Sequence, residues 1–143
     1  RGTPNITWHI PASYGARFEI GPWGFVQNHG HDIKSAFSIP YYGINRMTGN
    51  LTALEATRNH LIHYWILSHF HTQSQLVAPA GEVFMNGSLI GGTENSVNSM
   101  GKSDKPQQMM FAVHPEHGAT HRWPLYATTE PDAPGYVANP FAI

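Results

Sequence analysis

The chain has 143 residues and a formal net charge of −1, and charged residues make up only 12% of it. This length suits one domain with a sizeable core. The near-zero net charge argues against general electrostatic binding of nucleic acid. Cysteine is absent, which excludes disulfides, thiolate metal sites and cysteine nucleophiles. No apolar run reaches membrane-spanning length and no signal peptide is recognisable, so we expect a cytoplasmic protein without membrane contact.

The first half of the chain predicts two strands, a loop, a helix and a third strand. The strands cover 17–20 and 23–27 and are separated by a turn at Gly21-Pro22. Residues 31–49 contain a proline and two glycines and predict a long loop. Helical spacing of leucines predicts a helix over 51–60 with Asn50 as its N-cap, and a short buried strand follows at 64–68.

The second half is rich in strands. Four more strands are predicted, at 75–78, 82–86, 108–114 and 120–128. Residues 91–106 predict a polar surface excursion with a helical turn near Val97. We assign residues 1–129 to one domain and expect residues 130–143, which contain three prolines, to form an extended tail.

Two His-x-His triplets each end an apolar run: His29-Gly30-His31 and His69-Phe70-His71. Residues i and i+2 of a strand point to the same face, so each triplet can present two imidazoles in one direction. Imidazoles that converge at strand ends suit a borderline divalent metal. No carboxylate-rich strand end precedes the triplets, so a two-metal site built from this chain alone would lack bridging oxygen ligands.

The order of these motifs resembles the last two metal-binding motifs of the calcineurin-like metallophosphoesterases. A strand ends in His29-Gly30-His31, a helix follows, and the next strand ends in Ser68-His69-Phe70-His71-Thr72. The run Met85-Asn86-Gly87-Ser88-Leu89 resembles the family's strand ending in Asn-x-Gly-Ser or Gly-Ser, so Asn86-Gly87-Ser88 is expected to line the site. The continuation from 91 to 107 looks like phage and bacterial DNA-repair-exonuclease-like members.

The resemblance covers residues 17–128 and implies a fold and a ligand set. The fold would be α/β, the C-terminal half of a four-layer α-β-β-α sandwich, mostly strands with one main helix. The site would hold two divalent metal ions, Mn first and Fe or Zn as alternatives. His29 and His69 would bind the second metal, and His71 the first. His69 would lie near the leaving-group oxygen and His31 would be this chain's proton donor, so both are predicted to be catalytic. Candidate phosphate contacts are Lys34, Arg46 and Arg58.

The sequence departs from the family in two respects. Ser68 stands where the family has glycine, and the family's first three motifs (Asp-x-His, the bridging Asp and Asn-His-Asp/Glu) have no counterpart. We therefore expect an N-terminal-half polypeptide of the same fold to complete a phosphoesterase or nuclease acting on phosphate esters, with DNA phosphodiesters as one candidate. A homo-oligomer is also left open.

Two alternatives stay open at this point. One is a cupin-like protein, in which a His-x-His triplet on a jelly-roll strand holds a single metal. Cupins usually place a Glu a few residues after the triplet, whereas here Asp32 follows the first triplet directly. The predicted helix between the triplets is also atypical of a jelly roll. The other is a non-catalytic structural half-domain with a vestigial site. The remaining histidines are predicted to be surface or hydrogen-bonded core residues.

Overall fold

The computed structural model describes residues 5–35, 40–90 and 105–127. These residues form seven strands and one helix: β1 (Gly15–Ile20), β2 (Trp23–Asn28), α1 (Tyr41–Ala56), β3 (Tyr64–Leu67), β4 (Ser74–Ala78), β5 (Gly81–Met85), β6 (Gln107–His114) and β7 (Gly118–Tyr126). The predicted strands are confirmed with shifts of one or two residues. The predicted tail and the turn near Val97 lie outside the described residues. No helix in the described part is long and apolar enough to cross a membrane.

Five strands form one sheet in the order β1-β2-β3-β5-β4, and β6 and β7 form a second, antiparallel sheet. In the first sheet β2, β3 and β5 are parallel, whereas β1 and β4 pair antiparallel at its two sides. Neighbouring parallel strands need a crossover connection, and α1 supplies it between β2 and β3. The carboxyl ends of β2, β3 and β5 therefore lie along one side of the sheet, which we call the carboxyl edge.

Side chains of the central strands alternate between two cores. On β3, Trp65 and Leu67 are fully buried and belong to a cluster that contains Ile44 of α1. Tyr64 points the other way, into a cluster that also includes Phe111 of β6. The described residues thus form three layers: the helix, the five-stranded sheet and the two-stranded sheet.

The helix differs from its prediction. It begins at Tyr41 instead of residue 51, so residues 41–49 are helical where a loop was expected, and it ends at Ala56 instead of residue 60. Pro40 is its N-cap, and Asn50, the predicted N-cap, lies inside it.

The reason for the early start is tertiary packing. Ile44 and Thr48, in the first turns of α1, are completely buried against the sheet. A Cβ atom at Gly43 would collide with the carbonyl oxygen of Lys34, so this glycine allows a close approach of two backbones. Burial of the first turns outweighs the roughly 1 kcal/mol by which a glycine disfavours a helix, so the composition of the segment misled the prediction.

Candidate metal centre

The two histidine triplets meet at the carboxyl edge. His29 directly follows β2, His69 lies just after β3, and the ends of these strands pair at Asn28 and Leu67. The carbonyl oxygen of His29 accepts hydrogen bonds from the backbone N–H groups of Ser68 at 3.2 Å and His69 at 2.8 Å. Backbone pairing therefore continues past the strands and fixes the two loops to each other.

The His29 and His69 side chains are in direct contact. Nε2 of His29 lies 3.3 Å from Nδ1 of His69, with ring centroids 5.1 Å apart and ring planes at 72°. One imidazole can donate a hydrogen bond to the other, and the tautomers decide the direction. Two nitrogens that bind one metal ion at about 2.1 Å are at most about 4.2 Å apart, so this pair fits a shared ion.

His31 joins the pair from the side of the first triplet. Its ring centroid is 5.7 Å from that of His29, and its Nε2 lies 3.3 Å from Oδ1 of Asp32. The carboxylate can accept a hydrogen bond from an N–H at Nε2 and so orient the ring. The structure thus brings three of the four predicted imidazoles together, with Asp32 beside them.

Both triplets lie beyond the regular strands, so the two-residue alternation does not extend through them. Gly30 has φ +92° and His71 has φ +56°, both in the left-handed half of backbone space. The Gly30 N–H donates to Oδ1 of Asn28 at 2.8 Å, which closes the turn after β2. His71 is exposed, and its N–H donates to the Ser68 carbonyl at 3.4 Å. The two-residue alternation of a strand therefore does not arrange the triplets. The turn at Gly30 nevertheless leaves the ring centroids of His29 and His31 5.7 Å apart.

Within residues 5–35, 40–90 and 105–127, no group of three or more His, Asp or Glu side chains is arranged to hold a metal ion. The pair of His29 and His69 supplies two ligands of the four that a tetrahedral site requires. Further ligands would have to come from other residues.

Asn86, at the carboxyl end of β5, links the two sheets. Its Oδ1 accepts hydrogen bonds from the N–H groups of Met109 at 2.8 Å and Gly87 at 3.0 Å, and its Nδ2 donates to Oε1 of Gln108 at 2.5 Å. A Cβ atom at Gly87 would lie 2.5 Å from the Gln107 carbonyl oxygen. In the segment that was expected to line the site, the Asn86 side chain and the close backbone contact at Gly87 therefore hold the second sheet in place.

The structure does not bring Arg58 to the metal centre. α1 runs from the carboxyl edge back towards the start of β3, so Arg58, just past its end, lies towards the opposite side of the sheet. It pairs there with Glu55 at 3.0 Å.

Glu55 also contacts Nδ1 of His60 at 3.0 Å, and Nδ1 of His63 accepts a hydrogen bond from the Gly24 N–H at 3.0 Å. These two histidines are hydrogen-bonded structural residues, as predicted.

Sequence reasoning missed the segment before β1. Residues from 9–14, together with the first two residues of β1, line an open cavity of about 400 Å³ with Asn28, His29 and Ser68. The segment has no hydrophobic periodicity. No signal in the sequence indicates that Tyr14 lies near His29, which follows β2.

No family model matches the chain, and no curated protein matches it. The solved structures that are similar to it include two of Vps29 from Entamoeba histolytica. The wild-type protein complexed with Zn²⁺ has a TM-score of 0.55 and 12% identity, over 81% of this chain and 63% of that chain. A single mutant has a TM-score of 0.50 and 12% identity, over 85% of this chain and 66% of that chain. The chain thus spans less than two thirds of the zinc-bound protein.

These similarities show the fold. It is mixed α/β, mostly strands with one helix in the described residues, and it is similar to the fold of Vps29. The predicted α/β fold class, mostly strands with one helix, is confirmed. The similarity does not distinguish the DNA-repair-exonuclease-like branch from other branches. The parallel centre of the sheet and its helical crossover do not fit the antiparallel jelly roll of a cupin.

Proposed function

We propose that this chain is the histidine-bearing part of a dinuclear-metal phosphoesterase that hydrolyses phosphate esters. The observation that carries the proposal is the 3.3 Å contact between Nε2 of His29 and Nδ1 of His69 at the carboxyl edge of a metallophosphoesterase fold. A similar structure was crystallised with Zn²⁺, which supports metal binding in this fold. DNA phosphodiesters, as in the exonuclease-like phage and bacterial phosphoesterases, are the first substrates to examine.

In this proposal His29 and His69 hold one ion, and His71 holds the other. Neutral imidazole suits Mn, Fe and Zn, and Mn²⁺ is the first ion to test. Such ions, if bound, would supply a water of lowered pKa and Lewis-acid stabilisation of the ester oxygens. His31, oriented by Asp32, donates a proton from its ring to the leaving oxygen.

A second polypeptide completes the site in this proposal. Carboxylate ligands are needed, and the second sheet covers only part of the five-stranded sheet. On the face that Phe25 shares, Phe18 and Ile20 of β1 are 36% and 40% exposed, although Phe18 stacks on Phe25 at 5.3 Å. An N-terminal-half polypeptide of the same fold would cover this apolar strip and bring the carboxylates.

Native mass spectrometry with metal analysis of the protein as isolated tests this proposal. A complex with a second polypeptide and two transition-metal ions is the expected result. A metal-free chain, alone or as a simple homo-oligomer, would overturn the assembly that we propose.

Titration with Mn²⁺ tests the ligands in the same assembly. Replacing His29, His69 or His71 by Ala should weaken binding by more than the roughly 10–100-fold that loss of an outer-shell partner costs. His117→Ala is the matched control, because His117 is an exposed histidine in the β6–β7 turn, away from the carboxyl edge. Wild-type affinity in both His29→Ala and His69→Ala would eliminate the proposed site.

One observation favours a second candidate, a structural domain with a vestigial site. His29 and His69 are in contact as a pair, and within the described residues no group of three or more metal-ligating side chains forms. Metal binding without hydrolysis of bis(p-nitrophenyl) phosphate by the isolated assembly would favour this candidate over the enzyme.

A further inference from the structure

The open cavity beside His29 is a second feature of the carboxyl edge. It has a volume of about 400 Å³, within the roughly 300–1,000 Å³ typical of small-ligand sites. The segment before β1 contributes Tyr14 to its wall, and β2 contributes Gln27 and Asn28. His29 and Ser68 belong both to this wall and to the loops of the candidate metal centre. A molecule in the cavity would therefore lie directly beside the imidazole pair.

The part of the wall that the described residues form is polar but lacks Asp, Glu, Lys and Arg. Phosphate groups are usually held by cations or by clusters of N–H groups, so the cavity is unsuited to a phosphate and suited to an uncharged organic group. The charged part of an ester would lie outside it, towards His29 and His69.

Tyr14 offers a flat surface at the rim. Its side chain is 81% exposed, and its ring centroid lies 5.5 Å from that of His31. Exposed aromatic rings beside a polar cavity are the platforms on which planar bases stack. Gln27, exposed in the same wall, adds an amide donor and acceptor for the edge of such a ring.

We propose that this cavity binds the nucleoside part of a phosphate ester, with its base stacked on Tyr14 and hydrogen-bonded to the Gln27 amide. The position of the phosphate at the imidazole pair rests on the proposed function, whereas binding of the nucleoside does not. A volume of about 400 Å³ is sufficient for one nucleoside.

Two-dimensional ¹H–¹⁵N NMR of the full chain without metal tests this inference, with adenosine, adenosine monophosphate and inorganic phosphate as separate probes. Adenosine and its monophosphate should shift the amides of Tyr14, Gly15, Gln27 and His29, and inorganic phosphate should leave Tyr14 and Gly15 unchanged. Equal shifts with inorganic phosphate would make the cavity an anion site and overturn the inference. So would the lack of any adenosine shift in these residues.

Two tyrosine variants sharpen the test. Tyr14→Ala should weaken adenosine binding by at least about fivefold, the lower end for loss of base–aromatic stacking. Tyr42→Ala is the matched control, because this tyrosine is 75% exposed on α1, and its loss should leave the affinity unchanged. Unchanged adenosine affinity in Tyr14→Ala, or equal losses of affinity in both variants, would overturn the proposal that the base stacks on Tyr14.

The same experiment separates the inference from the proposed function. His69 is not part of the cavity wall, so His69→Ala should lose Mn²⁺ binding and keep adenosine binding. If the assembly with the second polypeptide binds adenosine at Tyr14 but no Mn²⁺, the proposed function is overturned and the nucleoside-binding inference is supported. The reverse result, Mn²⁺ binding without adenosine binding, would overturn the inference that the cavity binds a nucleoside and leave the proposed function standing.

Discussion

Replacement of Gly30 by alanine tests whether the turn between His29 and His31 is what holds the metal centre. Gly30 has φ +92°, which an L side chain rarely adopts. Space is not the obstacle, since a Cβ atom there would meet its nearest neighbours, in Ile33, His69 and Phe70, at 3.5–3.6 Å, which is ordinary contact. The cost is therefore backbone strain of about 1–3 kcal/mol.

This strain should lower stability to the extent that the loop keeps its geometry, and metal affinity to the extent that the loop relaxes. For a chain of this size we expect the Tm to fall by about 2–4 °C per kcal/mol. If the loop relaxes, it moves the His29 carbonyl away from the N–H groups of Ser68 and His69, and the two imidazoles separate. Recovering the geometry on binding would then lower Mn²⁺ affinity by about 5–150-fold, the same 1–3 kcal/mol expressed as an equilibrium constant.

The same substitution at Gly49 is the control. Gly49 lies inside α1 with nothing within 4 Å of its Cβ position, so alanine there should stabilise the protein by up to about 1 kcal/mol. Thermal unfolding followed by circular dichroism and calorimetric titration with Mn²⁺ measure both effects. A Gly30→Ala protein as stable as the wild type would refute the argument that the left-handed turn requires glycine.

Three further substitutions test the packing that supports the site. Phe84→Ala removes a ring that is 1% exposed between the two sheets and should lower the free energy of unfolding by about 3–5 kcal/mol in urea denaturation; a loss below 1 kcal/mol, on the order of a surface change, would contradict that packing. Asn86→Ala leaves the Met109 N–H without its acceptor, which should cost about 1–3 kcal/mol and speed hydrogen exchange at that amide; unchanged exchange would argue against the link between the sheets. Gly118→Ala combines φ +71° with a collision against the Tyr64 hydroxyl, so it should lower the Tm more than Gly30→Ala does, and a smaller effect would contradict the tight packing of the β6–β7 turn.

The strands could be predicted because their signals are local. The run from Tyr64 to Leu67 is apolar on both faces, and the structure buries it between two cores. The position of His29 and His69 just after strands also followed from the sequence, since a buried run must end where polar residues begin. Resemblance to a known family then gave the fold class, which the structural comparison confirms.

The start of the helix could not be predicted in this way. Gly43 and Pro40 read as loop residues, because composition reports what a segment prefers in isolation. In the folded chain Gly43 admits the close approach of the Lys34 backbone, and Ile44 is buried against the sheet. The gain from this burial exists only when the sheet is present, so no local pattern contains it.

The site itself was decided by the tertiary structure. The sequence by itself determined that two histidine triplets follow two strands, but not that those strands are parallel neighbours with the register that pairs Asn28 with Leu67. That register brings His29 and His69, which lie 40 positions apart in the chain, to a 3.3 Å contact. The pairing of β1 with β2, in which Gly15 lies opposite Asn28, places Tyr14 in the wall of a cavity that His29 shares. Contacts of this kind arise from strand pairing between distant segments, and the physical information that selects them is the joint burial of both segments against one core.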